Sequence, residues 1–190
     1  MAKKKPDQGK LIALEGLHDL ELQRAGKRLL RQLSSKDTAG GVSQWDASGL
    51  FFQLGRSTSP DVPSPKTLLM LYAADLAFRL RWEIAPLLAE GKNVVAAPYV
   101  ETAVAFGRAV GVEMEWMDQL FEFAPAADQS FRLKSQVATA KGFPARCFLI
   151  LAGASSHWKA KARQKPLTDH LTKLKAVPPA AAAPARRSAR

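Results

Sequence analysis

The chain has 190 residues, 47% of them hydrophobic, and a formal net charge of +11, a composition that suits one globular domain with a real core plus tails. No apolar run approaches the roughly 20 residues that cross a bilayer, and MAKKKPDQGK at the start lacks the apolar stretch of an export signal, so a cytoplasmic protein is expected. The single Cys147 excludes an internal disulfide and, within Phe148-Leu149-Ile150-Leu151, reads as a small buried hydrophobe.

In chain order, Lys10 to Gly16 reads as a short buried strand ending at a turn glycine, the usual opening of a parallel sheet. Asp19 to Leu33 then carries Leu20, Leu22, Ala25, Leu29, Leu30 and Leu33 at mostly helical spacing, with Arg24, Lys27, Arg28 and Arg31 opposite. After Gly40-Gly41, Val42 to Trp45 predicts a second strand, and the Ser/Pro/Gly-rich stretch up to Pro65 predicts a loop. Lys66 to Glu90 is apolar around much of its circumference, as in one long packed helix that Pro86 kinks or whose last turn it starts, and that Gly91 ends. Asn93 to Ala97 predicts a central strand, Tyr99 to Val110 and Glu113 to Phe123 two helices, and Cys147 to Leu151 a further strand, in the order βαβαβααβ. Beyond it, Leu167 to Val177 predicts a short amphipathic helix and Pro178 to Arg190 a disordered Pro/Ala tail.

The charge is unevenly placed. Residues 1–131 carry 15 Lys and Arg against 16 Asp and Glu, whereas residues 132–190 carry 13 against 1. Such a segment attracts phosphates through salt-sensitive counterion release, which makes a polyanion such as nucleic acid the expected partner of Lys159, Lys161, Arg163, Lys165, Lys173, Lys175, Arg186, Arg187 and Arg190. A tail that only maintains solubility is the other reading.

Leu11-Ile-Ala-Leu-Glu15-Gly16-Leu17 resembles the strand and Glu-Gly opening of the thymidylate kinase family. Leu68 to Asp75, with its Ala73-Ala74-Asp75, and Ile84, Pro86, Gly91-Lys92, Val94-Val95 and Tyr99 to Thr102 resemble that family's Ala-Ala-Asp-Arg helix and Asp-Arg-Tyr strand. The resemblance implies an α/β, three-layer P-loop-kinase-like fold with a central, mostly parallel sheet. Domain boundaries are expected at 1–9 for a basic N-terminal tail, 10–165 for the α/β domain and 166–190 for a basic C-terminal tail.

Departures fall on phosphate and metal contacts. Placed without a gap on the family's G-x-x-x-x-G-K-[ST] loop, the lysine position holds Leu22, the hydroxyl positions hold Gln23 and Arg24, and Asp19 and Glu21 bring carboxylates to the polyphosphate site. Gly26-Lys27-Arg28 imitates the motif, but nine residues separate Gly16 from Gly26 where four are required. Ala97-Pro98-Tyr99 replaces Asp-Arg-Tyr, Leu76 replaces the arginine after Asp75, and Phe106-Gly107 stands in the base-reading place. Glu15, Gly16, Gly26, Lys27, Arg28, Asp75, Tyr99 and Glu101 are therefore expected as relics of a nucleotide site. No catalytic residue, metal site or cofactor is expected.

These features predict a noncatalytic thymidylate-kinase-like binding or scaffold protein with a polyanion-binding C-terminal segment. The alternatives are an active nucleoside monophosphate kinase with a rearranged loop, which would need ATP and magnesium, and a dimeric partner-binding subunit.

Overall fold

Five parallel strands form one sheet in the order β2-β3-β1-β4-β5 in a computed structural model that describes residues 9–16, 19–54, 63–133 and 173–178. The strands are β1 (Leu11–Glu15), β2 (Ala39–Gln44), β3 (Asn93–Ala97), β4 (Gln129–Arg132) and β5 (Lys175–Ala176). All the pairings among them are parallel, with Leu11 to Ala13 opposite Val94 to Ala96 and Ile12 to Glu15 opposite Gln129 to Arg132.

Both faces of the central strands are covered, which is why they are continuously apolar. Ile12, Leu14, Val95 and Ala97 point to one side, where α1 (Asp19–Leu33) lays down Leu22, Ala25, Leu29 and Leu30. Leu11, Ala13, Val94 and Ala96 point to the other, against α3 (Pro65–Arg79), α5 (Val100–Ala109) and α6 (Met114–Phe121). The result is three layers, helix, sheet and helices, as the sequence predicts. At roughly 25 cal/mol per Å², each fully buried Leu or Val here contributes about 1.5–3 kcal/mol of transfer free energy.

The long helix expected from Lys66 to Glu90 is three consecutive pieces. Ser64 caps α3, its Oγ accepting from Thr67 N at 3.1 Å, and Pro65 sits in the first turn, where a missing N–H costs nothing. A π-turn (Leu80–Ile84) then leads into α4 (Ala85–Ala89). Pro86 cannot donate to the carbonyl four residues back, and the widened turn, in which Ala85 N–H reaches Leu80 O, accommodates its ring. Gly91, at φ 77°, ends the segment in the left-handed region where glycine has no Cβ penalty.

Four expectations need correction. The predicted loop after Trp45 contains α2 (Leu50–Leu54), started by Asp46, whose Oδ1 accepts from Phe51 N at 2.8 Å. A strand also forms at Gln129–Arg132, anchored by Asp128, whose carboxylate accepts from Leu11 N at 2.7 Å. Lys175–Ala176 is a strand beside β4 rather than the end of a helix, and Val177 is buried against Phe131. The α/β domain therefore includes residues 175–177, past the boundary expected at 165. The strand expected at Cys147 to Leu151 lies outside the described residues.

Candidate functional site at the ends of β1 and β3

In open parallel sheets a ligand crevice forms at the carboxyl ends of neighbouring strands whose following helices go to opposite faces. Here β1 runs into α1 on one face and its neighbour β3 runs into α5 on the other. Four of the expected site residues meet there, namely Glu15, Gly16, Tyr99 and Glu101.

Glu15 is fully buried, and its bonding leaves little for a ligand. Its carboxylate accepts from the backbone N–H of Tyr99 (3.2 Å), Glu101 (3.2 Å) and Thr102 (3.0 Å), and from Thr102 Oγ at 2.6 Å. Thr102 Oγ in turn accepts from Gly16 N at 3.1 Å, closing a loop of bonds between the end of β1 and the start of α5. A helix N-terminus carries unsatisfied N–H groups and a partial positive charge that suit an anion. At α5 that anion is the protein's own. Burial pushes the Glu15 carboxyl up from 4.5 to about 7, against the lowering effect of the Thr102 bonds.

Asp75, on α3, is also buried and is paired. Arg79, one turn on and 0% exposed, donates through Nε to Asp75 Oδ2 at 3.0 Å and through its terminal nitrogens to Pro98 O at 3.2 and 3.1 Å and to Ser43 O at 3.4 Å. This guanidinium ties the ends of β2 and β3 to α3. Burial raises the Asp75 carboxyl, and Arg79 and the Asp46 amide pull it back. Sequence reasoning missed Arg79; the available signal was an acid four residues before an arginine on one helix.

Aromatic rings fill the space above this pair. Trp45 is buried, stacks on Phe51 at 4.5 Å and 28° and meets Tyr72 at 5.5 Å. Tyr72 OH donates to Tyr99 O, and Tyr99 OH to Pro125 O at 2.7 Å, so burial drives both phenols above their usual range.

The remaining predicted residues are elsewhere. Gly26, Lys27 and Arg28 lie inside α1, not in a loop. Gly26 faces the sheet, where an added Cβ would stand 2.9 Å from Val42 Cγ1, while Lys27 is exposed. Lys173, just before β5, and Lys175, within it, are exposed at the opposite edge of the sheet from β2. Lys159, Lys161, Arg163, Lys165, Arg186, Arg187 and Arg190 lie outside the described residues. Among the described residues no group of three or more His, Cys, Asp or Glu is placed to hold a metal ion, and no helix is long and apolar enough to cross a membrane.

Comparison with known proteins agrees with this geometry. No protein-family model matches the sequence. Probable thymidylate kinases of Pyrococcus abyssi and Pyrococcus horikoshii are each 36% identical over 64 residues, which is 34% of this chain and 31% of theirs. A thymidylate kinase of Desulfosudis oleivorans is 48% identical over 58 residues, 30% of this chain and 27% of its own. The matched stretch thus spans less than a third of these relatives. The crystal structure of thymidylate kinase from Ehrlichia chaffeensis superimposes with a TM-score of 0.57 at 14% identity, covering 87% of this chain and 98% of that one. The chain is thymidylate-kinase-like: it has the fold of a P-loop kinase, and over about a third of its length it keeps a recognisable sequence likeness to that family.

Proposed function

We propose that this is a thymidylate-kinase-like binding protein that does not transfer phosphate, and that its basic C-terminal segment contacts a polyanion such as a nucleic acid. The length of the connection between β1 and α1 carries the first half. Only Gly16, Leu17 and His18 separate Glu15 from the helix at Asp19, whereas a phosphate cradle needs an eight-residue loop whose amides point at the ligand. Residues in the loop's second half are helical here. Leu22, in the place of the lysine, is buried at 1% exposure against the sheet. Magnesium polyphosphate does not fit these residues, because Ala97 is buried where a carboxylate would face the metal and Glu15 is already bonded by α5.

A coupled assay with ATP, magnesium and thymidine monophosphate tests this half, and no turnover above the enzyme-free blank is expected. Turnover lost in Lys27→Ala would overturn it in favour of a kinase that takes its phosphate contacts from α1. The second half rests on the charge count after residue 131. Binding to a labelled oligonucleotide should weaken linearly in log–log salt, with a slope of roughly −0.7 to −0.9 per phosphate neutralised. It should fall when Lys159, Lys161, Arg163 and Lys165 are changed together to Gln. Because β5 belongs to the sheet, these substitutions are a cleaner test than deleting the chain beyond Leu151.

One observation favours a second role as a partner-binding subunit. Met70 (48% exposed) and Phe78 (45%) line the outer face of α3 with Ala74 and Ala77, an apolar stripe of the kind that marks association surfaces. Sedimentation of Phe78→Glu against the parent chain reads whether this face joins two copies.

A further inference from the structure

A cleft of about 690 Å³ opens on the face of β2 that looks toward the π-turn and α4. It exists because β2 is short of side chains there: a Cβ added at Gly41 would meet only Leu87 Cδ1, at 3.6 Å. Gly41, Ser43 and Val94 form the floor, and Trp82, Pro86 and Leu87 line the apolar wall. This is the size range of small-molecule sites, which pair apolar walls with a few placed polar groups.

The placed group is Glu83. One of its oxygens accepts from Ser43 Oγ at 2.7 Å, which fixes the carboxylate at the rim of the floor. The other carboxylate in the lining, Asp46, is engaged at the start of α2. Among the described residues no Lys or Arg lines the cleft. Trp82 is 63% exposed, a large indole left at the wall. Its ring already takes one cation, the Arg81 guanidinium at 5.3 Å from the centroid, and Arg81 lines the neighbouring cleft rather than this one.

We propose that this cleft binds a slender or flat organic cation, a guanidinium, amidinium or ammonium group on an apolar stem, with its charge on Glu83 and its stem between Trp82 and Leu87. An indole face and a fixed carboxylate are the two elements that recognise such groups, through cation–π attraction and a charge-assisted hydrogen bond. The site is independent of the phosphate question, since none of its groups belongs to the ends of β1 and β3.

Calorimetric titration of the full chain with benzamidine tests it, with benzamide as the neutral shape-match and acetyl-Gly-Arg-Gly-amide as the same chemistry carried on a peptide. Benzamidine should bind in the sub-millimolar to millimolar range set by its few atoms, and benzamide about fivefold or more weakly. Tighter binding of benzamidine than of the peptide assigns the site to free small cations, and the reverse assigns it to basic side chains; either supports the cation. Glu83→Gln should weaken benzamidine by about two- to fivefold, the loss of one partly exposed charge pair. Gly41→Val should fill the cleft and abolish binding while the melting temperature holds or rises. Equal binding of benzamide, binding retained in a folded Gly41→Val protein, or no binding at about 10 mM benzamidine would overturn the proposal.

Discussion

Glu15 shows how a residue that looks like part of a nucleotide site can be consumed by the frame. Its four accepted hydrogen bonds stitch β1 to α5, and its carboxyl is held near neutrality by burial. The linkage sign follows from the raised value. Between pH 4.5 and about 7 the folded state holds a proton that the unfolded state has lost, so stability falls as pH climbs through that window and stays lower above it. Urea unfolding at a series of pH values should show this decline, amounting to a few kcal/mol, and Glu15→Gln should flatten it. Arg79 makes a second residue-scale prediction. Arg79→Leu strands the Asp75 carboxyl in the core and frees Pro98 O, at a cost of about 3–5 kcal/mol in chemical denaturation. The double change Asp75→Leu with Arg79→Met should recover most of it, since a buried ion pair replaced by apolar groups is often close to neutral.

At the scale of elements, the packing of α5 on α6 turns on Gly107. A Cβ there would stand 2.1 Å from Met117 Sδ, itself fully buried. Gly107→Ala should therefore destabilise by about 1–3 kcal/mol, and a second change, Met117→Ala, should relieve the clash, both read by thermal or urea unfolding. What the sequence disclosed at this scale follows the strength of its periodic signal. α1 and β3 were legible to the residue, because Leu22, Ala25, Leu29 and Leu30 mark one helical face and Val94 to Ala97 form an unbroken apolar run. β4 was not, because Phe131 is the one apolar residue in Gln-Ser-Phe-Arg and the strand is specified by pairing with β1 and by Asp128. α2 and β5 are too short to carry a period, and Lys175 is outward-facing. At the site, the motif places of Glu15, Gly16, Tyr99 and Glu101 could be read from the sequence, while the contacts Arg79 to Pro98 and Glu15 to Thr102 join residues far apart along the chain and leave no local pattern.

For the molecule as a whole, the scaffold and the charge have separated. The apolar layers on both faces of the sheet are intact, as the likeness to a thymidylate kinase structure requires, yet the first turn of α1 occupies the length of chain where a phosphate loop would lie. Positive charge is concentrated instead after residue 131. Equilibrium titration with magnesium–ATP, followed by calorimetry in the presence and absence of thymidine monophosphate, reads that separation most directly. A chain without a working phosphate cradle gives no saturable heat at millimolar nucleotide and an identical trace for Lys27→Ala. Saturable binding of magnesium–ATP that Lys27→Ala abolishes would contradict the absence of that cradle.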